Sequence, residues 1–179
     1  MQNSIQRLLY CLSNCSLVII SSCIIMICKN KSNSKYVNAN IILIIVFMLI
    51  IILFVFSFKY ACKNLENITI AINNVSPKQF DLINYIVTFI VPLFTLLNDI
   101  SIRMYLIVLA VYIIVSVWFY FKSENLINIL LIFKYSFYKI SSINGIEYIL
   151  ISNNRKIHSV NEINVVKQYF GYVLINKEK

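Results

Sequence analysis

The chain has 179 residues, 60% of them apolar, with only two glycines, two prolines and a formal charge of +9. So much hydrophobic sequence excludes an ordinary soluble domain of this length, and so little Gly and Pro excludes a low-complexity chain. The basic balance would suggest nucleic acid in a soluble protein, but in so apolar a chain the positive-inside bias of membrane proteins accounts for it.

Four apolar blocks, Leu8–Cys28, Ile41–Phe58, Leu82–Leu97 and Met104–Phe121, contain no Asp, Glu, Lys, Arg or His. Each is close to the roughly 20 residues a helix needs to cross ~30 Å of hydrocarbon. The expected fold is therefore a membrane all-α four-helix transmembrane region, residues 1–124, followed by a small cytosolic β-rich (α+β) C-terminal domain, residues 125–179. The first block is too long for a signal-peptide core and lacks a small-residue cleavage site, so a retained helix is expected. Four spans place both termini on one side. That side carries Arg7, Lys59, Lys63, Lys78, Lys122, Lys134 and Lys139 against Lys29, Lys31, Lys35 and Arg103 opposite, which assigns both termini to the cytoplasm.

Within the first span Cys11, Asn14, Cys15, Ser21 and Ser22 recur at spacings of three and four. Small and weakly polar residues on one helical face form a packing seam between membrane helices. The second span is apolar all round and is expected to face lipid. Ser76-Pro77-Lys78-Gln79 carries helix-start signals, with Ser76 as cap and Pro77 in the first helical position, so the third helix is expected to open there. Pro92 cannot donate to the carbonyl of Thr88, which predicts a kink at Thr88–Pro92. The fourth span ends in Trp118-Phe119-Tyr120-Phe121-Lys122, an aromatic belt with a basic anchor.

Past Glu124 the pattern changes. Asn125–Phe133 is apolar but too short to span and predicts an interfacial or docked helix. Phe137–Ile143 and Ile146–Ser152 flank Asn144-Gly145, a strong hairpin signal. Lys156–Val160 and Asn164–Ile175 offer two further strands. So short a tail holds too little core to stand alone, and should dock on the bilayer-side helix, on a partner or on a copy of itself. Its basic residues Lys139, Arg155, Lys156 and Lys167 are candidates for partner or lipid contact.

Catalytic signals are nearly nil. The single histidine, His158, has no nucleophile at suggestive spacing, the cysteines of the first span lie in an apolar helix, and no phosphate-binding glycine loop can be built from Gly145 and Gly171. No enzyme activity, cofactor or metal is expected. The expected partners are the lipid bilayer, further copies of the chain and a cytosolic protein bound by the tail, with no direct nucleic-acid contact. An oligomeric channel or permease-like subunit, or a passive membrane assembly factor, is the alternative.

Four segments carry a family likeness: Tyr85–Leu97 (YIVTFIVPLFTLL), Trp118–Leu131 (WFYFKSENLINILL), Phe137–Ser152 (FYKISSINGIEYILIS) and Asn164–Ile175 (NVVKQYFGYVLI). Together they resemble small bacterial membrane proteins encoded with anti-phage defence genes, the membrane subunits (KwaA) of Kiwa systems. One departure is that Ile127-Asn128-Ile129 lacks the Asn-Pro associated with that position. The resemblance implies a four-span, homo-oligomeric inner-membrane sensor or scaffold. It would respond to phage attack at the envelope and couple to a soluble, DNA-binding effector.

Overall fold

In a computed structural model of the chain, residues 2–29, 34–78, 101–122, 127–153, 157, 163 and 165–176 are described. Two long helices come first, α1 (Gln2–Lys29) and α2 (Ser34–Asn64). Neither contains Gly or Pro, and both are long and apolar enough to cross a membrane. At 31 residues α2 is ~46 Å long, more than the hydrocarbon needs, so its final turns extend beyond the apolar run. A third helix, α3 (Ile102–Lys122), coincides with the expected fourth span. Of the four expected spans, two, α1 and α2, are supported among the described residues. The expected third span, Leu82–Leu97, and the Thr88–Pro92 kink lie outside those residues.

The chain divides into two compact units. The helical unit comprises residues 11–53 and 81–122. Here α1 and α3 run antiparallel: the Tyr105 hydroxyl lies 3.2 Å from Ser22 Oγ and 3.4 Å from Cys23 Sγ, while Cys15 lies near Ser116. Cys11, Asn14, Cys15 and Ser22 of the expected seam are buried, and Ser21 is half-buried with its hydroxyl donating to the Val18 carbonyl. The outer face of α2 is a continuous apolar surface, with Ile42, Ile45, Leu49, Ile52 and Leu53 exposed.

The second unit comprises residues 1–10, 54–80 and 123–179, so the ends of both long helices belong to it. Its centre is a six-stranded sheet ordered β1-β5-β6-β4-β3-β2. The strands are β1 (Asn67–Ile68), β2 (Ile72–Pro77), β3 (Ser136–Ser142), β4 (Glu147–Ser152), β5 (Val166–Phe170) and β6 (Val173–Asn176). β4 and β6 pair in parallel, and every other pair is antiparallel. A short helix, α4 (Ile129–Ile132), precedes β3. On one face Tyr138, Ile140, Leu150 and Leu174 form a core with Val166 and Ile163, flanked by Ile68, Ile70, Ile72 and Val75.

The loop after α2 supplies both edge strands of the sheet. Two sequence expectations change. Ser76 and Pro77 do not open a helix; they end β2, opposite Lys139 and Tyr138 of β3. Proline is tolerated there because β2 is an edge strand, where a missing N–H need break no ladder bond. Asn164–Ile175 is not one strand but the β5–β6 hairpin, turning at Gly171-Tyr172 with Gly171 at φ +46. Lys156–Val160 lies largely outside the described residues.

The expected β3–β4 hairpin forms, with a three-residue loop at 143–145. Ser142 N–H donates to the Ile146 carbonyl (2.9 Å), Gly145 N–H donates to the Ser142 carbonyl (3.0 Å), and Gly145 takes φ +75. A Cβ at Gly145 would meet nothing within 4 Å, so only the left-handed backbone penalises a side chain there. Gly145→Ala is expected to cost about 1 kcal/mol in thermal unfolding without changing the fold.

Candidate functional site at the helix ends

Where a long apolar helix runs into a folded unit, its terminal side chains decide whether the two are joined or merely tethered. Tyr10 of α1 is fully buried. Its ring packs edge-on against Phe54 of α2 (5.8 Å between centroids) and Phe170 of β5 (5.1 Å), and lies 6.4 Å from Tyr169. Phe58, one turn beyond Phe54 on the same face of α2, meets Tyr169 (5.4 Å) and Tyr135 (5.3 Å) edge-on. Aromatic pairs in this geometry add attraction beyond their buried area.

Strand alternation would send the neighbours Tyr169 and Phe170 to opposite faces. A bulge prevents that: Gln168 lies opposite Leu174 and Phe170 opposite Val173, leaving Tyr169 as the extra residue. Both rings therefore reach the helix ends. Burial, the main cause, pushes the Tyr169 hydroxyl up to about 12, with Ser57 opposing and Cys62 adding to the rise. The phenol stays neutral at physiological pH, so the cluster buries no charge there.

The charge in the site comes from Lys167, two residues earlier. Its Nζ donates to the carbonyls of Cys62 and Lys63 (2.5 and 3.0 Å), in the last turn of α2. Carbonyls in the last turn of a helix lack the usual N–H four residues on, and a cation there also complements the helix dipole. This explains how a lysine is 92% buried with no carboxylate paired to it among the described residues.

Asn128 completes the site from the other side. Fully buried, it caps α4 by accepting from Leu130 N–H (2.9 Å), and its Nδ2 donates to the Tyr10 carbonyl (3.0 Å). One side chain thus fixes the start of α4 and ties it to α1. Asn128→Ala is expected to lower stability by about 2–3 kcal/mol, because it removes a cap and leaves buried groups unpaired. Asn128→Asp keeps the cap acceptor but sets a buried carboxylate oxygen against the Tyr10 carbonyl, and should cost at least as much as Asn128→Ala in thermal unfolding.

The tail lysines expected at a contact surface separate. Lys139 is at the surface, half exposed and paired with Glu147 at 2.7 Å, a contact too solvated to weigh much in stability. Lys167 is not at the surface; it is built into the helix end. Arg155 and Lys156 lie outside the described residues. Tyr10, Phe54, Phe58, Tyr169, Phe170 and Asn128 escaped the sequence reading of the site. A detectable signal was the density of aromatics bordering the first two apolar blocks and filling the tail. No group of three or more His, Cys, Asp or Glu among the described residues is placed to hold a metal.

One family match covers residues 6–175, with the description anti-phage protein KwaA; it takes in the whole aromatic cluster and all but the outermost residues of α1 and β6. The chain belongs to the KwaA family. The match takes in Tyr10 at one end and Phe170 at the other, so the helix-end site lies wholly inside the KwaA region. No curated protein and no solved structure matches the chain. For this KwaA-family chain, membership establishes an anti-phage protein, and α1 and α2 supply helices of spanning length.

Proposed function

We propose that the chain is a non-catalytic, multi-pass inner-membrane subunit that senses an envelope event during phage attack and passes it to a cytosolic effector. Both termini face the cytoplasm, copies of the chain associate, and the sheet unit presents the surface that the effector protein binds. The carrying observation is the helix-end site. Tyr10, Phe54 and Phe58 sit in one packed cluster with Tyr135, Tyr169 and Phe170, and Lys167 grips the last turn of α2. A displacement of either helix end would have to repack β5, since cores repack between discrete arrangements rather than deforming smoothly.

The antiparallel pairing of α1 and α3 supports the shared side of the termini. Burial of Asn14 and Ser22 within one copy favours a packing seam over the lining of a channel. Deletion of the chain in its native host should raise phage plating. The full-length chain purified from native membranes should bring with it one soluble protein encoded beside it. Unchanged plating and no such protein would together sink the proposal.

A further inference from the structure

One apolar side chain of the sheet unit is conspicuously outside it. Phe133, which ends α4, is 84% exposed, although Ile127 and Leu131 of the same segment are buried. The next two residues fix its position. Lys134 Nζ lies 5.4 Å over the Tyr135 ring, and that ring packs edge-on against Phe58 of α2 at 5.3 Å. Phe58 is the last residue of the apolar run Ile41–Phe58, and Lys59 follows it. Phe133 therefore lies at the level where α2 leaves the hydrocarbon. Asn128 gives a second, independent height: it bonds the Tyr10 carbonyl, close to Leu8, where the apolar run of α1 begins.

The surroundings have the character of a bilayer interface. Phe56 and Tyr60 of α2 are exposed, as are Lys59, Lys63 and Lys134. The first acidic residue of the chain is Glu66, beyond all of these but Lys134. Tyr rings prefer the headgroup region, an apolar ring such as Phe seats at the headgroup–acyl boundary, and lysines near it are drawn to anionic lipid. From this placement we propose that Phe133 inserts into the headgroup region of the cytoplasmic leaflet, with Lys134 on anionic lipid, so that the sheet unit holds the membrane at a point of its own. The occupant of the Phe133 surface is lipid, not a second copy or a protein partner. A loop anchored this way would report changes in leaflet charge or packing to the helix-end site through Tyr135 and Phe58.

The inference rests on α2 crossing the bilayer, and the test separates the two. Trp118→Phe removes the only tryptophan, and Phe133→Trp then places a probe in the full-length chain in vesicles. Emission should fall most with lipids brominated near the headgroup, less with deeply brominated lipids, and more in phosphatidylglycerol than in phosphatidylcholine vesicles. Lys134→Glu should weaken that dependence on lipid charge at the probe, leaving the share owed to Lys59 and Lys63. A control probe at Leu49→Trp should respond to deep bromines. If the control is quenched while the probe at 133 is not, the anchor is overturned, whether the probe is open to iodide or shielded by protein. If neither is quenched, the anchor and the crossing both fall. Equal quenching in neutral and anionic vesicles overturns the role of Lys134.

Discussion

Tyr10→Ala is expected to destabilise the sheet unit by about 3–5 kcal/mol, the range for removing a buried aromatic ring. Tyr10 is fully buried and contacts Phe54, Phe170 and Tyr169. Truncation leaves a cavity bounded by both helix ends and β5, elements that cannot all close on it at once. Since small domains hold only about 5–15 kcal/mol in total, much of the unit's stability would go. The expected result is a lower midpoint in thermal unfolding of the reconstituted chain and early protease cleavage in residues 65–78, where the edge strands lie. Tyr10→Leu, which keeps part of the volume, should recover a share of the loss. A wild-type unfolding curve for Tyr10→Ala would show that the cluster does not hold the helix ends.

The second large effect is expected at Lys167. Lys167→Met keeps most of the aliphatic stem but removes the donors to Cys62 and Lys63, at a cost of about 2 kcal/mol for charge-assisted bonds. Lys167→Glu sets a carboxylate against carbonyl oxygens at the negative end of a helix dipole and should cost about 3–5 kcal/mol, as for an uncompensated buried charge. Hydrogen exchange of the last turn of α2 separates this from a general loss of fold. Protection should fall there in Lys167→Met while the β3–β4 hairpin keeps its own. Phage plating with the same variants ties the contact to function, and the order wild type, Met, Glu should hold for both readouts.

Much of this arrangement was legible in the residues, and the parts that were not share a cause. The long helices follow from unbroken apolar runs, and the β3–β4 hairpin follows from Asn144-Gly145 between two strand-forming arms. The contribution of 67–77 was partly visible, since Ile68, Ile70 and Ile72 alternate with Thr69 and Ala71 as a half-buried strand should. Ser76-Pro77 masked it, because the same residues that open a helix are also tolerated where an edge strand ends. Nothing local marks Tyr169 and Phe170 as sharing a face, because the bulge exists only in the register of β5 against β6. Lys167 reads as a surface lysine in any window of sequence; its partners are carbonyls more than 100 residues earlier. Short-range pattern thus revealed the elements, while pairing and long-range contacts decided the site.

These failures alter the place of the tail in the molecule. A tail with too little core for independence was expected to dock on something, and it docks on its own chain. It takes two strands from the loop after α2 and the first turns of α1. The informative part of the molecule is therefore not residues 125–179 alone but the helix ends built into them.

The central claim is that this unit relays an envelope event to a soluble effector. Its most direct test is recovery of the full-length chain from native membranes before and after phage challenge, comparing wild type with Lys167→Met. The expected result is one soluble protein retained by wild type, with retention changing on challenge, and both features weakened in the variant at equal membrane content. Retention of no soluble protein, or retention identical in wild type and variant and unchanged by phage, would contradict it.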